Sequence, residues 1–267
     1  MSERNLAELL SASLFAAESA FLNTRATPMS HDSLEKSNAL GVAYTIAGRY
    51  EDALAQFDLA AQGYRMLIGP EHPNTLIAAG NLAVTYSRLA QWDDAIPLIE
   101  ETVAARERVL GEQHPLTMTA YDALAVTFRQ AGRLSEALPI HQRVVVQRTA
   151  MLGPGHPDTL VSILGLAVAI AEAGDSQHAV AQLAAALQES EQSDRLDVIA
   201  IALRARLADF LFAIGQPDEA VDHLRRAISE CEALQGVNHP EAIALRGHLS
   251  RMGRDDAPID HDPRDTA

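Results

Sequence analysis

Cysteine is nearly missing: Cys231 is the only one in 267 residues. No internal disulfide framework and no cysteine-rich zinc site can be built from one thiol, which fits a reducing cytosol, and a buried structural role is expected for it. Aromatic residues are also scarce, at 4%. A core short of rings and rich in Ala has to be packed from small side chains in close contact, which suits helix against helix better than a β-sandwich. Basic residues are outnumbered, 21 Lys and Arg against 36 Asp and Glu, leaving a formal net charge of -15. That balance argues against nucleic acid as a partner, whose affinity depends on neutralised phosphates. Lys36 is the only lysine, a bias that reads as codon usage rather than surface design. Long hydrophobic runs are absent too. The most apolar stretch, Leu160 to Ala171, is too short to span a bilayer. The N-terminus carries Glu8 and Glu18 inside its apolar stretch and lacks a basic leader, so it does not read as a signal peptide. What is present, 48% apolar residues, is ample for a core. The expectation is an all-α, cytoplasmic chain with no membrane or nucleic-acid partner and no cofactor.

The chain repeats itself. GPEHPNTL at Gly69 to Leu76 returns as GEQHPLTM at Gly111, as GPGHPDTL at Gly153 and, more loosely, as GVNHPEAI at Gly236. Pro73, Pro115 and Pro157 are 42 residues apart, and Pro240 follows at 83, two periods less one. The turns AGRYEDA, AQWDDA, AGRLSEA, AGDSQHA and GQPDEA end in Ala53, Ala95, Ala137, Ala179 and Ala220, spaced 42, 42, 42 and 41. Self-similarity at this period means stacked supersecondary units. One unit lacks the His-Pro motif but keeps the helix pair, with Gln192 to Val198 in its place.

The motif reads as backbone punctuation. Gly69 stops one helix, since Gly adopts the left-handed C-terminal conformation without strain. The residue before Pro73, His72, is pushed into an extended conformation suited to an N-cap, and Pro at the first helical position loses no hydrogen bond. This predicts a helix from about Pro73 to Leu89 and a second from about Asp93 to Leu110. Pro97 and Pro139 then fall in or just after a first turn, where the lost donor was largely unpaired. Spacing weighs heavily against a metal shared among the recurring histidines, because stacked units are displaced by ~10 Å while zinc ligands lie ~2 Å from one ion.

Within each unit, Leu82, Ala83, Tyr86 and Ala95 recur as Leu124, Ala125, Phe128 and Ala137. This pattern resembles the tetratricopeptide repeat, whose antiparallel helices cross closely over small residues. The 42-residue version, with GxxHPxTL between units and SEALP at Ser135 to Pro139, is similar to the repeats of kinesin light chains and of many bacterial arrays. HEAT and armadillo arrays share the period but do not account for Leu-Ala-x-x-aromatic followed by Ala. The resemblance implies a right-handed α-solenoid of stacked antiparallel helix pairs. The expected organisation is an N-terminal capping helix and loop over 1–33, with the helix at Asn5 to Thr24. Four helix pairs follow over 34–235 (34–68, 76–110, 118–152 and 160–235, the last with a shortened linker). A C-terminal capping helix over 236–253 and an acidic, solvated tail over 254–267 complete it.

No GxSxG, HExxH, phosphate-binding loop or GxGxxG occurs, and the HPE at His239 has no cysteine pair beside it. Asp175 with His178 and Glu219 with His223 are ordinary helix-surface pairings. Catalysis is not expected, nor is a metal. The resemblance instead implies that the first helix of each pair lines a concave groove for a protein or peptide. Transferred position by position, the groove residues are Asn38, Thr45, Ser87, Arg88, Asp122, Arg129, Gln130, Leu164, Val168, Glu172, Asp209 and Phe212. The polar members could hydrogen-bond a peptide backbone or carboxylate, and Leu164, Val168 and Phe212 could take an apolar anchor. Gly80 and Asp122 depart from the family's backbone-clamping asparagine, which Asn38 matches. The same residues would equally make an ordinary soluble face, and the apolar end would equally serve a homodimer contact. A non-catalytic adaptor is the expectation, with a peptide-responsive sensor or an accessory maturation factor as alternatives.

Overall fold

A computed structural model describes residues 14, 16–19, 29–191 and 198–252. Eleven helices are complete in that range: α1 (His31–Ile46), α2 (Tyr50–Ile68), α3 (Pro73–Arg88), α4 (Trp92–Leu110), α5 (Pro115–Gln130), α6 (Leu134–Leu152), α7 (Pro157–Glu172), α8 (Ser176–Glu191), α9 (Val198–Ala213), α10 (Pro217–Gln235) and α11 (Pro240–Arg251). There is no strand among the described residues. Ten of these helices form five pairs rather than the expected four: the segment 160–235 holds two pairs, α7 with α8 and α9 with α10, each with its own turn. The replacement linker at 192–197, most of the expected N-terminal helix and the tail at 254–267 lie outside the described residues. Residues 14 and 16–19 are helical, and Glu18 accepts a hydrogen bond from the Tyr44 hydroxyl at 2.9 Å.

The histidines before proline are helix caps. His72, His114, His156 and His239 sit at extended φ/ψ as N-caps of α3, α5, α7 and α11. Each Nδ1 accepts from the backbone N–H two residues on, at 3.2, 3.2, 3.2 and 3.3 Å. This satisfies a donor that the helix itself leaves open. The first repeat has no such histidine, and Ser30 with Ser33 makes a capping box instead. Gly69, Gly111, Gly153 and Gly236 end the helices before these caps at φ of 91 to 96°. Pro97 and Pro139 are the sixth residues of α4 and α6, just after the first turn, where the sequence places them.

The chain divides into two compact units, one of residues 4–148 and one from residue 149 onward. In the first, α1 packs on α2, α2 on α3, α3 on α4 and α4 on α5. Ala53, Ala95 and Ala137 are fully buried where helices cross. Gly41 is there for the same reason, since a Cβ on it would lie 2.7 Å from the Phe57 ring. Leu40, Phe57 and Leu82 fill one cluster, and Ile99, Met118, Leu124 and Val144 another. In the second unit α7 packs on α8, α8 on α9, α9 on α10 and α10 on α11. Leu183, Leu203, Leu207 and Leu224 are among its fully buried side chains. The helix at Pro240–Arg251 supplies Ala242, Leu245 and Leu249 to the end of that core. No helix among the described residues is long and apolar enough to cross a membrane.

Candidate functional site

In the unit of residues 4–148 the first helices α1, α3 and α5 present adjoining faces. Hydrogen bonds at a spacing of 43 residues join them: Asn74 Nδ2 meets His31 Nε2 at 2.8 Å, Asn81 donates to Asn38 at 3.1 Å, and Ser87 donates to Gln130 at 3.1 Å. The spacing is one repeat plus one residue, which is what brings side chains of neighbouring first helices together.

This ladder alters the meaning of several expected groove residues. Ser87 is 5% exposed and is spent on Gln130, so it reads as structural rather than as a ligand-facing donor. Asn38 is half-buried and already accepts from Asn81. Thr45 returns its hydroxyl to the Gly41 carbonyl at 2.9 Å. Asp122 is paired with Arg148 at 2.6 Å, both largely buried. Arg129 is half-buried, whereas Arg88 and Gln130 are exposed. Beside them stand apolar side chains open to solvent: Val42 at 41%, Ile46 at 64% and Ile77 at 36%. The face is therefore mixed, with an apolar end on α1 besides the expected apolar anchor at Leu164, Val168 and Phe212.

In the second unit Leu164 and Val168 are half-buried on α7, while Glu172 is exposed at its end. Phe212 on α9 is 45% exposed. Asp209 is engaged twice, by Arg206 at 3.1 Å and by His248 of α11 at 2.9 Å. The capping helix thus covers one of the expected contact residues. His178 draws its own backbone N–H to Asp175 at 3.0 Å, a turn-capping arrangement. Burial, then Arg204 and Arg226, hold His223 below the ordinary imidazole range, with Glu219 opposing.

Three buried arginines escaped the sequence reading. Arg106 donates to the Leu76 carbonyl at 3.0 Å and to the Leu116 carbonyl at 2.7 Å, tying α4 to both flanking first helices. A Cβ on Gly80 would lie 3.2 Å from its guanidinium. One period on, Arg148 takes the same place and Asp122 stands where Gly80 stood. Burial lowers the Arg106 pKa, yet a guanidinium stays charged. Arg204, 2% exposed, is held by Glu191 and by Glu230 at 2.9 Å. The 42-residue relation of Arg106 to Arg148, opposite Gly80 and Asp122, was the available signal. A cavity of about 330 Å³ lies among α2, α3 and α4, lined by Ala61, Leu76, Ala79, Leu98 and Ala105 and rimmed by the pairs Arg65–Glu101 and Arg108–Glu71.

With this geometry, the match to known families is decisive. Tetratricopeptide repeat profiles match residues 32–108, 86–146 and 201–241. The chain belongs to the tetratricopeptide repeat family. No curated protein matches it. Among solved structures, a kinesin light chain of Podosopora anserina with nearly identical TPR-like repeats is 26% identical, covering 76% of this chain and 96% of that one at a TM-score of 0.64. BtubC of P. vanneervenii is 16% identical over 95% of this chain and 94% of its own, at 0.62. The apo quorum sensor NprR of B. thuringiensis is 14% identical over 92% of this tetratricopeptide repeat chain and 65% of NprR, at 0.67. The last two share the fold.

Proposed function

We propose that this tetratricopeptide repeat protein is a non-catalytic scaffold that holds a segment of a protein partner on the face formed by α1, α3 and α5. The observation that carries the reading is the ladder of hydrogen bonds at 43-residue spacing, which fuses three helix faces into one surface while leaving Val42, Ile46, Ile77 and Arg88 open on it. Such a surface offers apolar anchorage at one end and hydrogen-bonding groups at the other, the mixture that peptide recognition uses. Fold neighbours support the reading: NprR has been solved with its cognate peptide NprX, and PlcR with the peptide PapR7 and DNA.

The test is affinity capture from cell lysate, comparing the wild type with an Ile46→Asp/Arg88→Glu double variant and identifying captured proteins by mass spectrometry. Both side chains are exposed, so the variant is expected to melt with the wild type. Loss of a partner from the variant supports the face as the binding surface; identical partner sets on both forms defeat it. The likeness to a quorum sensor favours one second reading, a sensor of a small peptide. That reading requires a peptide alone to raise the melting temperature, as a ligand that binds only the folded state must.

A further inference from the structure

The cap that closes the last repeat gathers three metal-ligating side chains that partner binding leaves unused. Cys231 lies near the end of α10, His239 is the N-cap of α11, and Glu241 is the second residue of α11. Each offers one ligand atom, and the three atoms lie within 4.8 Å of one another. Register explains why only this repeat has the group. The residue eight before the capping histidine is Tyr64, Arg106 or Arg148 elsewhere, and is Cys231 here. Cys231 is buried, and the other two are half-buried. The distance argument against a shared ion concerns histidines of different repeats, whereas these three side chains all belong to one helix junction.

We infer that Cys231, His239 and Glu241 form a binding site for a zinc-class divalent cation that ties the start of α11 to the end of α10. The donor set selects the ion class. A thiolate with an imidazole and a carboxylate suits zinc or cobalt, while magnesium and calcium take oxygen donors. Three protein ligands leave a fourth position for water. Charge balances as well: thiolate and carboxylate together match a dication, and Arg246, the nearby cation, is engaged by Glu232 and by the Val237 carbonyl at 2.7 Å.

Without an ion the sulfur is a thiol, the ordinary form of a cysteine at neutral pH. Its S–H points to Gln235 Oε1 at 3.6 Å. Binding therefore breaks the S–H bond, forms a sulfur–metal bond and releases one proton. The His239 Nδ1 lone pair accepts the Glu241 N–H. The ion takes that lone pair in exchange for one helix-capping hydrogen bond.

Cobalt(II) is the probe, added to the reduced, chelator-stripped full chain. The expected result is a thiolate-to-cobalt charge-transfer band in the near ultraviolet that one equivalent of zinc erases, with about one proton released per ion. Cys231→Ser removes the band. His239→Asn, which keeps a preferred N-cap residue, and Glu241→Gln each weaken cobalt binding by at least about tenfold. A wild-type titration with no thiolate band overturns the site, whatever the variants do. A band equally strong and equally tight in His239→Asn and Glu241→Gln overturns it too, since the cysteine would then bind alone.

Discussion

His141 occupies a place that other repeats give to hydrocarbon. Four residues after the crossing alanine stand Phe57, Ile99, Leu183 and Leu224, all buried, and in the third repeat His141, 1% exposed with no hydrogen-bond partner on either ring nitrogen. Burial, reinforced by Arg129, pushes its pKa down to about 4 from the ordinary 6.5. Between those values the unfolded chain binds a proton that the folded chain does not. Stability is therefore whole above pH 6.5 and falls as the pH drops toward 4, by on the order of 3 kcal/mol across the full shift. His141→Leu is expected to flatten that part of the stability-against-pH curve and to add about 1 to 3 kcal/mol at neutral pH by removing an unpaired buried polar group; urea melts at several pH values read both. Ala90 is a second residue out of step. It holds φ 56° where Gly48, Gly132, Gly174 and Gly215 hold the equivalent turn. Ala90→Gly is expected to raise stability by up to about 1 kcal/mol, the left-handed strain outweighing the entropy Gly brings to the unfolded chain, as a paired melt will show.

At the scale of the helix, the ends were legible and the faces were not. Gly69, His72 and Pro73 act on their own backbone, so their meaning is carried within a few residues, and the predicted caps match the observed ones. The crossing alanines were equally legible because a 42-residue period exposes them. The side chains on the first helices depend on partners much further along the chain. Asp122 is consumed by Arg148, Asn38 by Asn81, and Asp209 by His248. A residue transferred from the family pattern carries its position but not its neighbour, which is why Ser87 looked like a contact and is buried. The pair count was lost where 192–197 replaces the His-Pro motif, although the fifth turn alanine, Ala220, was in view. The crossing itself is testable: Ala95 is fully buried in the first turn of α4, and Ala95→Leu is expected to cost ~1 to 3 kcal/mol by overpacking. An unchanged thermal midpoint would place Ala95 away from the crossing.

At the scale of the whole molecule, a repeat chain buries each face against its neighbours in sequence, so its stability is a sum of local terms rather than the property of one core. The division into residues 4–148 and the part from 149 onward gives that rule a measurable consequence here. The only tryptophan, Trp92, opens α4 in the first unit and packs against its core. Its fluorescence therefore reports that unit, whereas far-ultraviolet circular dichroism reports every helix. Leu224 is fully buried in α10 of the second unit. Leu224→Ala is expected to cost about 2 to 5 kcal/mol there through lost contacts and the cavity left behind. In urea, the dichroism transition of the variant is then expected to move to lower denaturant and broaden, while the Trp92 transition moves less. Coincident shifts by both probes would mean that the two units unfold as one cooperative body. Divergent shifts would mean that the second unit, with its cap and the cysteine junction, can loosen while the α1, α3 and α5 face stays folded for its partner.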